Sequence, residues 1–274
     1  MTIALVACSN PITDTQLIEV RQVISILRQH HISVLIKDSI QDSISAKQRA
    51  DNLMECYRNP EVKMICDISG GDLANGILSY LDFNYIQKHP KPFCGYSDLT
   101  SIINGIYTKT GNISILYQIR NLCGPDSSRQ QTYFWNYLSG TSNQFTCPKI
   151  TMIQGEKMPS SIITGGNIRC LLKLAGTPFW PDLSDRILLL ESLSGGRERI
   201  QAFFDQLNHM GVFQQISGLL LGTFTQLDRE FGVHTVEQIA LENISNHLIP
   251  VGRTMEIGHG KNSLAIAIGK QWEG

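Results

Sequence analysis

The sequence has no apolar run long enough to cross a bilayer. Its longest apolar stretches, such as Ile216–Gly222 and Ile187–Leu190, are strand-sized. It has no Lys/Arg run and no basic tail, and its formal net charge is −1 over 274 residues. Nothing in it offers a phosphate-binding stripe, so no nucleic-acid partner is expected. No CxxC occurs among its seven cysteines, at 8, 56, 66, 94, 123, 147 and 170. An odd count without paired spacing excludes the usual zinc sites and a simple disulfide framework, and it points to reduced thiols in the cytosol. Neither G-x-G-x-x-G nor a Walker pattern is present, so no phosphate cradle is expected. The opening Met-Thr-Ile-Ala-Leu-Val-Ala-Cys lacks the basic flank of a signal peptide and reads as a first strand. The expectation is a cytoplasmic protein without membrane, metal or cofactor. Internal repeats and low-complexity tracts are absent as well.

What is present is an alternation of strands and helices. Ile3–Cys8, Ile32–Ile36, Val62–Ile68 and Pro92–Tyr96 read as strands. Thr13 with Gln16, and Ser45 with Gln48, are capping-box pairs opening the helices between them. Leu17, Val20, Ile24 and Leu27 form the apolar stripe of the first helix, and Leu99–Tyr107 reads as a later one. Such alternation implies a parallel sheet covered on both faces, with ligands bound beyond the C-terminal strand ends. Residues 125–148 begin with the turn-rich Gly124–Arg129, include an aromatic helical stretch at Tyr133–Leu138 and end polar. They read as a linker between an α/β unit over 1–124 and a second over 149–274. The second unit is expected to hold strands near Ser161–Ile163, Arg186–Glu191, Ser217–Leu221 and Leu264–Ile268. Its helices are expected near Asn167–Leu174, Glu198–Met210 and Thr235–Asn246.

Four places could carry chemistry. Ser97 sits where a strand ends and a helix begins, as in a nucleophile elbow, although Leu99 replaces the last glycine of G-x-S-x-G. A serine there also reads as a simple N-cap. The helix start beyond it, including the Asp98 N–H, could hold an oxyanion. Gly70-Gly71 permits close backbone approach, either as an oxyanion donor or as a tight turn, and Asp67 and Asp72 flank the same strand exit. Glu191 closes an apolar strand and could orient a histidine, or stand exposed at the strand end. His259 alone among seven histidines lies between two glycines, and histidine is the usual base for a serine hydroxyl. The other six read as surface residues. Trp180 could line a pocket or fill core.

Gly70-Gly-Asp-Leu-Ala-Asn-Gly-Ile-Leu-Ser-Tyr-Leu-Asp-Phe83, followed by Lys91-Pro-Phe-Cys-Gly-Tyr-Ser-Asp-Leu-Thr100, resembles the LD-carboxypeptidase family of serine peptidases, which includes MccF-type microcin C immunity peptidases. Tyr107–Gly111, Gly165–Asn167, Gly176–Pro178, Ile187–Glu191, Leu221–Phe224 and Gly258–Gly260 match in the same order, so the resemblance spans nearly the whole chain. It implies an N-terminal Rossmann-like domain, a C-terminal α/β domain and an active site in the cleft between them. It further implies Ser97 as nucleophile, His259 as base, Glu191 as its partner, and the N–H groups of Gly71 and Asp98 as oxyanion hole. Gly70, Asp72 and Trp180 are the candidate substrate contacts. A homodimer is implied, with no cofactor. The implied substrate is a cytoplasmic muropeptide losing a C-terminal D-amino acid, or an aminoacyl- or peptidyl-nucleotide; a non-catalytic binding protein is the further alternative. Ser69 stands where murein-acting members often carry Arg, Leu116-Tyr-Gln-Ile119 stands where a Gly-Pro is common, and Ala267 replaces a frequent proline.

Overall fold

A computed structural model describes residues 1–37, 40–142, 146, 148–244 and 248–272. The first sheet runs β1 (Thr2–Val6), β2 (Ser33–Ile36), β3 (Val62–Asp67), β4 (Phe93–Gly95) and β5 (Ser114–Leu116). Its helices are α1 (Asp14–Gln29), α2 (Ala46–Arg58), α3 (Phe83–Lys88) and α4 (Thr100–Thr110), followed by α5 (Ser127–Leu138). The second sheet holds β6 (Thr151–Gln154), β7 (Ile163–Asn167), β8 (Ile187–Ser192), β9 (Gly218–Phe224) and β10 (Val251–Arg253). It is accompanied by α6 (Ile168–Leu172), α7 (Arg197–His209), α8 (Thr225–Phe231) and α9 (Thr235–Asn243). The last strand, β11 (Ile266–Ile268), returns to the first sheet.

The strand orders are β11-β5-β4-β3-β1-β2 and β6-β10-β9-β8-β7. Every pairing is parallel except β11 on β5 and β6 on β10, each at a sheet edge. Both capping boxes form: Thr13 Oγ1 accepts from the Gln16 N–H and Ser45 Oγ from the Gln48 N–H, while each glutamine side chain reaches back to its cap N–H.

Parallel strands bury both faces, and here each face meets a different core. In β1, Ile3 and Leu5 pack under α1, while Ala4 and Val6 face the middle of the molecule. In β8, Leu188 and Leu190 pack under α7, while Ile187 and Leu189 join that same middle core. The period of two along each strand therefore fuses the two sheets through one shared apolar layer, to which α4 contributes Ile102, Ile103 and Ile106.

Three expectations need correction. Within residues 125–148 the helix is longer than the stretch expected at Tyr133–Leu138: α5 begins at Ser127, and its Phe134 and Gln130 are buried against the first sheet's outer core. The Leu264–Ile268 strand belongs to the first sheet, so the C-terminal segment crosses back and the division at 149 is not a clean cut. The strand expected near Ser161–Ile163 lies further on, at Ile163–Asn167. The polar stretch including Cys147, the end of the helix expected to reach Asn246, and His247 fall partly or wholly outside the described residues. No helix among the described residues is long and apolar enough to cross a membrane.

Candidate active site

β4 ends at Gly95, and Ser97 then takes φ +55°, a left-handed conformation that a residue with a side chain adopts only at a cost of about 1–2 kcal/mol. Such strain marks a turn held open by its surroundings. Ser97 begins a 3-10 helix over Ser97–Leu99 that runs into α4, and no side-chain cap bond forms there, so the simple N-cap reading does not hold. The first N–H groups of a helix have no acceptor within it, which leaves the Asp98 N–H at this turn for a ligand. The Asp98 carboxylate does not cap α4. It is fully buried, accepting from Ser9 Oγ at 2.6 Å, the Ala74 N–H at 2.8 Å and Lys173 Nζ at 2.5 Å.

α4 is fastened to the second sheet. The Asn104 side chain exchanges two bonds with Gly165 of β7, donating to its carbonyl at 2.9 Å and accepting from its N–H at 3.0 Å. Thr100 Oγ1 accepts from the Asn167 N–H at 3.0 Å. These buried bonds fix the end of β7 against the start of the helix that follows Ser97.

At that strand end Asn167 pairs in register with Glu191 of β8. Glu191 is not the exposed strand-end carboxylate that its position also allowed, since only 1% of its surface reaches solvent. One carboxylate oxygen, Oε1, accepts from Asn167 Nδ2 at 3.1 Å; the other, Oε2, lies 2.6 Å from His259 Nδ1. Asn167 Oδ1 accepts from the Cys170 N–H at 3.2 Å as the N-cap of α6, which settles its amide orientation. Gly258 takes φ +149°, and a Cβ there would sit 1.9 Å from Thr223 Oγ1, so only glycine lets the His259 loop lie against the end of β9. His259 Nε2 is buried and has no hydrogen-bond partner among the described residues, and the ring lies 5.6 Å from that of Tyr96.

Ser97 and Glu191 line one narrow cavity of about 10 Å³ together with Tyr96, Gln118 and Gly258. The structure thus brings Glu191 and His259 into contact and sets Ser97 on the same cavity wall as Glu191. A hydrogen bond between Ser97 and His259 is not formed among the described residues.

The Gly-Gly turn is built around Asn10. A Cβ on Gly71, at φ +125°, would sit 2.1 Å from Asn10 Oδ1, which accepts from the Asp72 N–H at 2.8 Å. Asn10 also donates its N–H to the Gly70 carbonyl at 3.2 Å. Beneath it, Asp67 accepts from the Cys8 N–H, the Ser69 N–H and Ser69 Oγ at 2.6–2.8 Å. Burial raises the Asp67 carboxyl above its usual range, against the opposing pull of those bonds, and its three donors make it a brace beneath the turn. Asp72 is exposed and ion-paired with Arg169, whose guanidinium holds it below the usual carboxylate range. Trp180 is half-buried and packs against both the middle core and the α7 core.

Sequence reasoning passed over Asn10, Asn167, Lys173 and Arg120. Asn167 lies in the Gly165–Asn167 motif, yet nothing local in the sequence says that its amide holds Glu191. His30, His31, His89, His209 and His234 are exposed, as their polar settings indicated. Burial pushes up the thiols of Cys8, Cys66 and Cys170, and that of Cys56 to about 11, which disfavours a thiolate nucleophile at these positions. Among the described residues no group of three or more His, Cys, Asp or Glu could hold a metal ion.

Residues 3–117 match the LD-carboxypeptidase N-terminal domain and residues 160–273 the LD-carboxypeptidase C-terminal domain. The probable murein peptide carboxypeptidase of Bacillus subtilis is 28% identical, over 81% of this chain and 72% of that protein. The microcin C7 self-immunity protein MccF of Escherichia coli is 25% identical, over 85% of this chain and 77% of that protein. A solved structure of MccF in complex with glutamyl sulfamoyl guanosine superposes with a TM-score of 0.85 at 22% identity, covering 98% of this chain and 91% of that one. The two-domain α/β fold is therefore shared, and the chain belongs to the LD-carboxypeptidase family of serine peptidases.

Proposed function

We propose that the protein is a cytoplasmic serine carboxypeptidase that hydrolyses an amide bond with Ser97, His259 and Glu191, releasing a C-terminal D-amino acid from a muropeptide. The observation that carries this reading is the buried Glu191–His259 contact of 2.6 Å beside a serine held at φ +55°. His259 Nε2 takes the hydroxyl proton as Ser97 Oγ attacks the carbonyl. The N–H groups of Gly71 and Asp98 receive the oxyanion, and losing one such donor typically costs about 10²–10³ in kcat. His259 returns the proton to the leaving amine, and water then releases the acyl group from Ser97 by the same base. Glu191 holds the Nδ1–H tautomer and stabilises the charged ring. The bond between Ser97 Oγ and His259 Nε2 forms on substrate binding, as catalytic hydrogen bonds in unliganded sites commonly tighten.

A second reading is favoured by one observation. Ser69, where murein-acting relatives often carry Arg, is buried and spends its hydroxyl on Asp67, so this position offers a substrate no cation. An MccF-type activity on an aminoacyl-nucleotide follows if that cation is essential for muropeptides. Hydrolysis of a muramoyl tetrapeptide, against hydrolysis of an aminoacyl-sulfamoyl adenosine, decides between the two. Fluorophosphonate labelling that is lost in Ser97→Ala supports the nucleophile, and labelling that persists refutes it. Absence of any turnover with intact peptide binding would leave a binding protein. The family resemblance also implies a homodimer, which light scattering tests directly.

A further inference from the structure

Beside the narrow space at Ser97 lies a roomier cavity of about 200 Å³, and the two share Gln118 as a common wall. Its charged lining is Glu19, Arg120 and Lys261, one anion against two cations. Glu19 is divided between both, at 3.0 Å from Lys261 Nζ and 3.5 Å from Arg120 Nε. A positive charge is left over.

Arg120 is only 6% exposed, which is rare for a cation without full pairing. Its Nε and Nη2 donate to Gln118 Oε1 at 2.9 and 2.5 Å, and Nη2 also donates to the Tyr96 hydroxyl at 2.7 Å. Nη1 is buried with no acceptor among the described residues. Leaving a charged donor unsatisfied in a buried site is costly, so a shift of Gln118 that opens the guanidinium to an anion in the cavity would supply the partner Nη1 lacks. The Tyr96 hydroxyl accepts from Arg120 and so keeps its own proton to donate. Tyr96 precedes Ser97 directly. The opposite side is held by Asn121 Nδ2, which donates to the carbonyl of Ser263 at 2.9 Å in the segment that follows His259. Two of the cavity's lining residues, Arg120 and Asn121, are thus bonded to the segments that carry the proposed catalytic residues.

A carboxypeptidase must recognise a free carboxylate one residue beyond the carbonyl it attacks, a span of about 3.3–3.6 Å of chain per residue. We propose that Arg120, positioned by Gln118 and Tyr96, is the specificity-determining residue that binds the substrate's terminal carboxylate in this cavity. This rests on the peptidase reading above. A planar guanidinium suits a carboxylate through two parallel bonds, which an ammonium does not reproduce. Gln118 lies in Leu116-Tyr-Gln-Ile119, where a Gly-Pro is common in the family, and Arg120 follows that segment directly.

The test compares a muramoyl tetrapeptide with the same peptide ending in a carboxamide. Wild type is expected to favour the free acid in kcat/KM by about 10- to 100-fold, the size of a charge-assisted pair. Arg120→Gln should raise KM for the acid by about 10- to 100-fold more than it raises KM for the amide, and so erase the preference. Arg120→Lys should fall between. A preference that survives in both variants overturns the proposal. Calorimetry on Ser97→Ala separates this from the peptidase reading itself. If Ser97→Ala binds the acid in preference and Ser97→Ala/Arg120→Gln does not, the subsite stands even where wild type shows no turnover. Equal binding of acid and amide by Ser97→Ala removes the subsite even where turnover is normal.

Discussion

Glu191→Gln is the most searching perturbation of the site, because the structure gives each carboxylate oxygen its own donor. Oε1 accepts from Asn167 Nδ2 and Oε2 faces His259 Nδ1. A glutamine supplies one acceptor and one NH₂ group, so it cannot serve both Asn167 Nδ2 and the Nδ1–H tautomer of His259 that leaves Nε2 free as a base. Asn167 cannot turn its amide over to help, since its Oδ1 already caps α6 through the Cys170 N–H. The losses fall on different quantities: a buried donor left facing a donor costs about 1–3 kcal/mol of stability, and the missing charged acceptor, worth about 1.5–3 kcal/mol, is lost from the transition state. At about 1.4 kcal/mol per decade, kcat/KM should fall by roughly 10–10² while the protein stays folded. Hydrolysis of the tetrapeptide reads the rate, and urea unfolding reads the fold. Adding Asn167→Asp restores an acceptor opposite the new amide and remains a good N-cap. The double variant should regain stability without regaining the rate, because the charge then sits one residue away from His259. A Glu191→Gln variant within about threefold of wild type would refute the assignment of the pair.

Further outcomes follow from the same structure. Ser97→Gly should be more stable than Ser97→Ala by up to about 1 kcal/mol, because glycine relieves the φ +55° strain but adds freedom to the unfolded chain; equal urea midpoints would remove the strain argument. Lys173→Met strips a partner from the fully buried Asp98 carboxylate and should cost about 2–3 kcal/mol, with Asp98→Asn on the same background recovering part; an unchanged midpoint would show that Ser9 and Ala74 suffice. Burial pushes the Glu256 carboxyl up, but the Arg129 guanidinium and the Lys149 N–H outweigh it and hold it below 4.5. A depressed folded value gives stability above the unfolded value that is lost as pH falls through the folded one. Glu256→Gln should therefore cost about 1 kcal/mol near pH 6, with the difference from wild type vanishing in acid; a difference independent of pH between 6 and 3 would contradict that sign.

Local sequence determined much of this protein, wherever the governing interactions are short in range. The capping boxes at Thr13 and Ser45, the apolar stripe of α1 and the strand-to-helix turn at Ser97 depend on neighbours three or four residues away. The glycines around His259 likewise announced a tight loop. The choice of His259 and Glu191 from many histidines and carboxylates came from the ordered family motifs, not from their immediate surroundings. What only the tertiary structure decided involves partners remote along the chain. Which core each strand face meets, the return of Ile266–Ile268 to the first sheet, and the packing of Phe134 depend on where a whole layer closes. The same holds for Asn167 on Glu191, Lys173 on Asp98 and Arg120 on Tyr96, separated by 24, 75 and 24 positions. A buried charge or amide takes its partner from the fold, because desolvation makes the pairing necessary only once the chain has closed around it.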